Sequence, residues 1–281
     1  MRKTYESKIV AIFCIIDDIV KALGFRDDPQ CLMSSSEVLS AAVISHLFFG
    51  GNYSKTLTFL AHASVFSYVL SESRFLRRLQ RFEGHVKYIT HILSKVMAHA
   101  GPCSEYAVDS FPVAVCENIR ANRCRLASGK VYRGYIPSKR TYFHGIKVHM
   151  VVRLDGFITE FELSAASVND AKGLYFLSFE EGTVYADRGY KDYFAEDGLL
   201  LEGVELIPIR VKGSKRYDRN KQYLAKSRRR IVETVASVIN SFFPKRIRAV
   251  TWNGFIMKVS LFMLAYNIHR FLKVAILKVA I

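Results

Sequence analysis

Apolar residues in the first third of the chain recur every three or four positions. Ile12, Ile16 and Ile19 illustrate this spacing, which is typical of the buried face of an amphipathic helix. The same period continues to about residue 100. It predicts an all-helical N-terminal domain over residues 1–101.

One helix of this domain has sequence signals at both ends. Ser34 and Glu37 have the spacing of a capping box just before an apolar run. Gly50 and Gly51 follow that run and favour the end of a helix. A single helix is therefore expected between these signals.

A later helix, near residues 72–99, carries basic side chains among Leu and Phe and is expected to break near Gly84. It could lie along a phosphate backbone or simply present a solvated basic face, and its sequence favours neither. Its basic residues are Arg74, Arg77, Arg78, Arg81 and Lys87.

The hydrophobic period changes after Gly101-Pro102, which marks the predicted domain boundary. Residues 105–110 form a predicted strand, and Pro112 is expected to end it because proline cannot donate to a ladder. The second domain is predicted over residues 102–272, and residues 273–281 form a tail.

Strict alternation of apolar and polar residues predicts a strand over residues 142–153. Asp155-Gly156 then predicts a two-residue hairpin turn into a strand over residues 157–163. The long basic segment 113–141 separates this hairpin from the first strand and is expected to be an insertion in the fold.

The remaining elements alternate between helix and strand. The full order is three strands that include a hairpin, followed by helix, strand, helix, strand and helix. This order is that of an RNase H-like α/β fold with a mixed five-stranded sheet. The further elements are a helix over 171–179, a strand over 183–187, a helix after Gly189, a strand over 204–209, and helices over 221–243 and 254–272.

Three carboxylates occupy notable places in this order. Asp109 is expected to end the first strand, Asp187 ends the fourth, and Glu233 lies in the helix after the fifth. If the first and fourth strands are neighbours, these side chains come close together. Closely packed carboxylates repel one another unless cations lie between them, and oxygen ligands suit magnesium. Two such ions about 3.5 to 4 Å apart would support displacement at phosphorus.

Each acid also has a simpler interpretation. Asp109 could be a turn former, and Asp187 could cap the next helix. Glu233 could form a surface ion pair with Arg229, one helical turn earlier. Asp170 is interpreted as a helix cap in preference to a metal ligand.

The charge balance indicates a polyanionic partner. Lys and Arg number 41 against 25 Asp and Glu, for a net charge of +16, while the hydrophobic content of 50% is that of a globular protein. Residues 120–147 and 210–230 hold much of the excess, and Tyr135 and Tyr142 interleave with the first run. DNA contact is favoured over a merely solvated face.

Four segments resemble those of bacterial DDE-type insertion-sequence transposases, specifically the insertion-sequence 982 family. They are Val108 to Val113, Cys116 to Arg125, Tyr185 to Tyr190 and Arg228 to Thr234. The resemblance implies that Asp109, Asp187 and Glu233 are the catalytic and metal-binding triad. It also implies an RNase H-like fold. The expected cofactors of the three acids are two Mg²⁺ ions, for which Mn²⁺ can substitute.

The function expected from this resemblance is metal-dependent cleavage of insertion-sequence ends and strand transfer into target DNA. The expected partners are double-stranded DNA, as terminal inverted repeats and target, and a second copy of the chain in the DNA complex. The expected location is the bacterial cytoplasm, at the nucleoid. The expected DNA contacts are Arg120, Arg123, Arg125, Arg133, Lys139, Arg140, Arg188, Tyr190, Lys212, Lys215, Arg216 and Arg229.

Two other functions fit the same residues. An RNase H-like nuclease would use the same acids to cut DNA without joining it. A transposase-derived protein could bind DNA without catalysis. A strand-transfer assay separates the first from a transposase, and binding without metal-dependent cleavage would identify the second.

Five widely spaced cysteines form no C-x-x-C motif and are interpreted as reduced thiols of a cytosolic protein. A zinc site that includes His144 and His149 is an open alternative, although packing roles are favoured. The most apolar late stretch, residues 259–268, is far shorter than the roughly 20 residues that a membrane span requires. No membrane span or export signal is expected.

Overall fold

The computed structural model describes residues 2–98 and 103–279 of the chain. The predicted boundary at Gly101-Pro102 lies outside the described residues. The chain divides into two compact units, neither of which is one continuous segment. The first unit comprises Met1–Leu93, Ser241–Ile247 and Met257–Ile281, and the second comprises Ser94–Asn240 and Arg248–Ile256.

Helices account for the regular structure of the first part of the chain. The predicted capping box is confirmed, since the Ser34 hydroxyl accepts from the Glu37 N–H and the Glu37 carboxylate accepts from the Ser34 N–H. The break at Gly84 is also confirmed, and this glycine has a φ of +82°. The helices are α1 (Arg2–Ala22), α2 (Ser35–Phe48), α3 (Tyr53–Ala63), α4 (Glu72–Leu79) and α5 (His85–Ala98).

One of the basic residues of α4 has a structural role. Arg78 donates to the Asp27 carboxylate and to the Met33 carbonyl, each at 2.7 Å, and its side chain is largely buried. Arg74 and Arg77 are exposed. A face that binds phosphate in this region would therefore use the exposed pair and not Arg78.

A six-stranded mixed sheet lies in the second unit. Its order is β2-β3-β1-β5-β6, with β4 also paired to β3. The pairs β1/β3, β2/β3 and β3/β4 are antiparallel, whereas β1/β5 and β5/β6 are parallel. The strands are β1 (Glu105–Cys116), β2 (Arg133–Ile136), β3 (Thr141–Arg153), β4 (Ile158–Ala165), β5 (Gly182–Ala186) and β6 (Val204–Pro208).

The sheet has one strand more than the five predicted, and the first strand is longer than predicted. The additional strand β2 lies inside the basic insertion. Pro112 does not end β1, which continues to Cys116 with Pro112 opposite Lys147. Because β5 pairs with β1 only as far as Val108, the missing N–H of Pro112 falls where β5 no longer requires a donor.

The β3–β4 hairpin is confirmed, but its turn is one residue longer than predicted. The Arg153 N–H donates to the Phe157 carbonyl, which leaves residues 154–156 as the loop. Gly156 in this loop has a φ of +91°. The glycine thus supplies the left-handed conformation that a three-residue hairpin turn requires.

The helices after β4 differ from the predicted ones in two places. The helix predicted over 171–179 is a short α6 followed by a 3₁₀ turn, and the helix predicted over 221–243 is divided at Arg229. The helices are α6 (Asp170–Gly173), α7 (Tyr193–Leu201), α8 (Arg219–Arg228), α9 (Arg230–Phe242) and α10 (Trp252–Val279).

Helix α10 supplies core residues to the first unit. Leu261, Leu264, Ala265 and Ile268 join a buried cluster built mainly from the N-terminal helices. The predicted division at residue 101 would have separated these segments, and α10 also continues through most of the predicted tail. Among the described helices, none is both long and apolar enough to cross a bilayer.

Candidate active site

The register of the sheet brings Asp109 and Asp187 to the same level. Val108 of β1 pairs with Ala186 of the parallel strand β5, and each aspartate is the next residue on its strand. Asp187 follows the last residue of β5, as predicted. Asp109 was predicted to end the first strand, but it lies in the middle of β1 at the point where pairing with β5 stops.

Glu233 reaches the same place from the first turn of α9. The guanidinium of Arg229, at the junction of α8 and α9, lies among all three carboxylates. Its nitrogens are 3.3 Å from Asp109 Oδ2, 3.6 Å from Asp187 Oδ1 and 3.1 Å from Glu233 Oε1. The structure therefore brings together the three acids that the sequence singled out.

The simpler interpretations of these acids explain only part of this geometry. Glu233 does pair with Arg229, but the same guanidinium also contacts Asp109 and Asp187, which a local helix pair would not require. Asp187 precedes a 3₁₀ turn, Arg188–Tyr190, yet its side chain makes no capping hydrogen bond there.

Asp109 is the most buried of the three carboxylates, with 26% of its side chain exposed against 47% for Asp187 and 54% for Glu233. Burial, with smaller contributions from the nearby Asp187 and Asp170, raises the pKa of Asp109 to about 6. The Ser110 N–H and the Arg229 guanidinium oppose that rise. The ionised form of Asp109 is thus stabilised by positive charge at this position.

Asp170 supports the site from the first position of α6. Its Oδ1 accepts from the Ser110 hydroxyl at 2.8 Å and from the Lys147 ammonium at 3.0 Å. The prediction that Asp170 is a helix cap is wrong, because Asn169 caps this turn through the Ala171 N–H. Asp170 instead links the residue after Asp109 to strand β3.

Tyr190 and His149 form a buried polar pair beside this contact. The Tyr190 hydroxyl lies 3.4 Å from His149 Nδ1, and His149 Nε2 lies 2.8 Å from the Ser164 hydroxyl. Burial lowers the pKa of His149 to about 4 and raises that of Tyr190 well above its usual value, so both side chains are neutral near pH 7. Tyr190, an expected DNA contact, lies in the core instead of on the surface.

The other expected DNA contacts are exposed, apart from Arg229, which the carboxylates surround. Arg216 is also engaged, since it pairs with Glu196 at 3.2 Å and with Asp197 at 2.9 Å. The exposed members are Arg120, Arg123, Arg125, Arg133, Lys139, Arg140, Arg188, Lys212, Lys215 and Arg216.

Aromatic and basic side chains meet on the basic insertion. The Arg133 guanidinium lies 4.4 Å from the centre of the Tyr142 ring, and the Tyr135 ring lies 5.0 Å from that ring. All three side chains are exposed. The surface at the β2–β3 turn thus combines positive charge with flat aromatic faces.

Sequence reasoning missed the supporting roles of Ser110, Lys147 and His149. The alternation along β3 was a signal for the latter two, because it placed them on the polar side of an otherwise apolar strand. Ser110 adjoins Asp109, but its partner Asp170 is 60 residues away in sequence. Only the folded chain reveals that contact.

The sequence matches the family described as Transposase DDE domain over residues 101–244. This segment is about half of the 281 residues and contains Asp109, Asp187 and Glu233. The chain therefore belongs to the DDE transposase family, and it is an enzyme of that class.

Among solved structures, the chain is similar to a piggyBac transposase in a synaptic complex with hairpin DNA. The two share 10% sequence identity, with a TM-score of 0.49 over 94% of this chain and 72% of the other. No curated protein matches the sequence.

Proposed function

We propose that this transposase cuts DNA at the ends of an insertion sequence and joins them to target DNA, using Asp109, Asp187 and Glu233 as its catalytic carboxylates. The observation that carries the proposal is the convergence of these acids on Arg229. They come from two neighbouring strands and a helix, so only the fold unites them.

The strand arrangement supports an RNase H-like catalytic domain. Without the short strand β2, the order is β4-β3-β1-β5-β6, in which β1, β3 and β4 are antiparallel neighbours and β5 and β6 run parallel to β1. This is the arrangement expected from the order of elements along the sequence. The acids lie where the parallel and antiparallel parts of the sheet meet.

The donor set fits divalent magnesium, with manganese as a substitute. Asp109, Asp187 and Glu233 offer oxygen ligands, and Arg229 already shows that positive charge is stable between them. Bound Mg²⁺ would activate the attacking oxygen and stabilise the leaving oxygen at phosphorus. The protein's part is to hold these carboxylates close together around the Arg229 guanidinium.

Double-stranded DNA is the proposed partner, both as terminal inverted repeats and as target. The net charge of +16 and the exposed basic insertion support it, because lysine and arginine release counterions from phosphates. The exposed cluster of Arg133, Tyr142 and Tyr135 would contact bases at distorted ends. The sequence motifs further support membership in the insertion-sequence 982 family, action as a homodimer on DNA, and a bacterial cytoplasmic location.

The decisive experiment combines cleavage, strand transfer and DNA binding in one set of variants. Asp109→Asn, Asp187→Asn and Glu233→Gln should each lose cleavage and joining in Mg²⁺ or Mn²⁺ while still binding DNA ends, because these carboxylates hold metal instead of DNA. The substrate is the DNA that flanks the reading frame. Glu205→Gln is the matched control, since this acid of β6 pairs with Lys221 of α8.

The outcomes separate the proposed transposase from its alternatives. Cleavage without joining would indicate a nuclease, and binding without any metal-dependent cleavage would indicate a DNA-binding protein. If Glu233→Gln cleaves normally and Glu205→Gln does not, the assignment of the third carboxylate is wrong.

A further inference from the structure

We propose that Cys116, Cys124 and His144 bind a zinc ion that fastens the basic insertion to the sheet. Each residue offers one ligand atom, and these atoms lie within 4.8 Å of one another. Cys116 and His144 are buried, and Cys124 is partly buried. The three residues thus form a compact cluster of sulfur and nitrogen donors.

The fold assembles this cluster from three separate segments. Cys116 is the last residue of β1 and lies opposite His144 on β3, next to an irregularity in the β1–β3 register after Ala114. Cys124 follows the 3₁₀ turn Asn118–Arg123, and its N–H donates to the Ala121 carbonyl. The turn therefore returns the chain to the end of the strand that it has just left.

The hydrogen bond of His144 leaves one ring nitrogen ready for a metal. His144 Nε2 lies 2.8 Å from the Ala127 carbonyl, which can only accept, so the proton of the neutral ring is on Nε2. The lone pair is then on Nδ1. Zinc-binding histidines commonly have this arrangement, in which the other ring N–H donates to a carbonyl or carboxylate.

The donor chemistry selects zinc over magnesium. Two thiolates and one imidazole are ligands of zinc, whereas magnesium prefers oxygen. Zn–S bonds of about 2.3 Å place two sulfurs about 3.8 Å apart in a tetrahedral site, so the cluster needs to contract by about 1 Å or less.

The zinc site is distinct from the carboxylate site. Cys116 is seven residues beyond Asp109 on the same strand, which corresponds to about 23 Å along β1. His149, the other histidine considered as a zinc ligand from the sequence, contacts Tyr190 and Ser164 instead. The proposed zinc therefore has a structural role in the insertion and none in the reaction at the three acids.

The consequence for the protein is an ordered basic segment. Arg120 and Arg123 lie in the turn that Cys124 ends, and Arg125 follows it. A metal that holds Cys124 against β1 and β3 would restrict this turn, because metal binding adds its free energy to the folded arrangement. The basic side chains would then be presented from a fixed backbone.

The test uses the reduced full-length chain with Zn²⁺ or Co²⁺ as the probe. After dialysis, we expect the unsubstituted chain to retain one zinc ion per chain. The variants Cys124→Ser and Cys116→Ser should lose this zinc, whereas the control variants Cys31→Ser and Cys103→Ser should retain it. Because zinc could also bind the carboxylates, the thiolate-to-cobalt charge-transfer absorption identifies the site. Zinc should also slow tryptic cleavage between residues 120 and 140 at least threefold in the unsubstituted chain and not in Cys124→Ser.

Several results would overturn the proposal. They are the absence of a cobalt–thiolate absorption, an absorption unchanged in Cys124→Ser, and a Cys116–Cys124 disulfide in the chain isolated without reductant. If Cys116→Ser fails to fold, Cys124→Ser and His144→Gln decide the question, with circular dichroism as the check of folding.

Discussion

Arg229 balances part of the charge of three carboxylates that would otherwise repel one another. One guanidinium against three ionised acids leaves a local charge of about −2, and only 17% of the Arg229 side chain is exposed. Further positive charge would therefore stabilise the cluster. Arg229 makes it stable before a divalent ion arrives, and it competes with that ion for the same oxygens.

Removing this charge should therefore have opposite effects on stability and on metal binding. Without divalent ions, Arg229→Gln should lower the free energy of unfolding by about 1 kcal/mol, a small amount because Asp187 and Glu233 are half exposed. Without DNA, the variant should bind Mg²⁺ several-fold more tightly. Urea unfolding with and without Mg²⁺ and calorimetric titration measure the two effects.

Arg230→Gln is the control for this prediction, since it removes the exposed charge of the next residue, the first of α9. If both variants change stability and Mg²⁺ affinity equally, the effect comes from net charge and not from the position of Arg229 among the acids.

His46 gives a prediction about acid stability. Its ring is fully buried on α2, its Nδ1 donates to the Ala42 carbonyl, and burial lowers its pKa to about 3, with a smaller effect of the nearby Lys258. Between pH 6.5 and 3 the unfolded chain binds a proton at His46 that the folded chain does not. Stability should therefore fall as the pH is lowered through this range.

His46→Gln should make this fall less steep, by up to about 1.4 kcal/mol per pH unit. His62→Gln is a close control, because His62 makes the same type of bond, to the Thr58 carbonyl, but is exposed. Urea unfolding at a series of pH values is the measurement. Curves of equal slope for His46→Gln and the unsubstituted chain would contradict the assigned pKa.

At the residue scale, the sequence singled out the acids but not the contacts that unite them. Asp109, Asp187 and Glu233 stood out because of their places in the order of strands and helices. That Arg229 touches all three depends on the relative positions of two strands and a helix, which no local pattern encodes. The local pair between Arg229 and Glu233 was foreseen only as an alternative to a functional role.

At the scale of elements, the periodic segments were predictable and their ends were not. The β3–β4 hairpin follows from alternation and a turn dipeptide, both of which are local signals. Pro112 was expected to end β1, but its effect depends on where β5 stops, which is a property of the sheet. The division between α8 and α9 at Arg229 was not predictable, because no glycine or proline lies there to indicate the end of a helix.

The elements also show why the two acids on strands meet. Strands β1 and β5 pair with each other as far as Val108 and Ala186. The next residues, Asp109 and Asp187, carry the carboxylates. A shift of one residue in either strand would turn its carboxylate to the opposite face of the sheet. The register of one parallel pair is thus the structural basis of the candidate site.

At the scale of the molecule, the first unit needs the end of the chain to complete its core. Phe262 of α10 lies 4.5 Å from the His46 ring of α2, and the Asn267 side chain donates to the Thr90 carbonyl of α5. Helix α10 has apolar residues on most of its surface, so its period gave no indication of this location. A fragment ending near residue 100 would lack these contacts.

Leu264→Ala in the full-length chain tests this dependence without truncation. Leu264 is fully buried in the core that α10 shares with the N-terminal helices, so the substitution should cost about 2 to 5 kcal/mol. The loss should appear as faster hydrogen exchange in peptides from α2, measured by mass spectrometry. Leu76→Ala is the control, since this leucine is exposed on α4 and should leave α2 protected. If Leu264→Ala does not change exchange in α2, the N-terminal helices are stable without α10, and a fragment of residues 1–100 should then fold by itself.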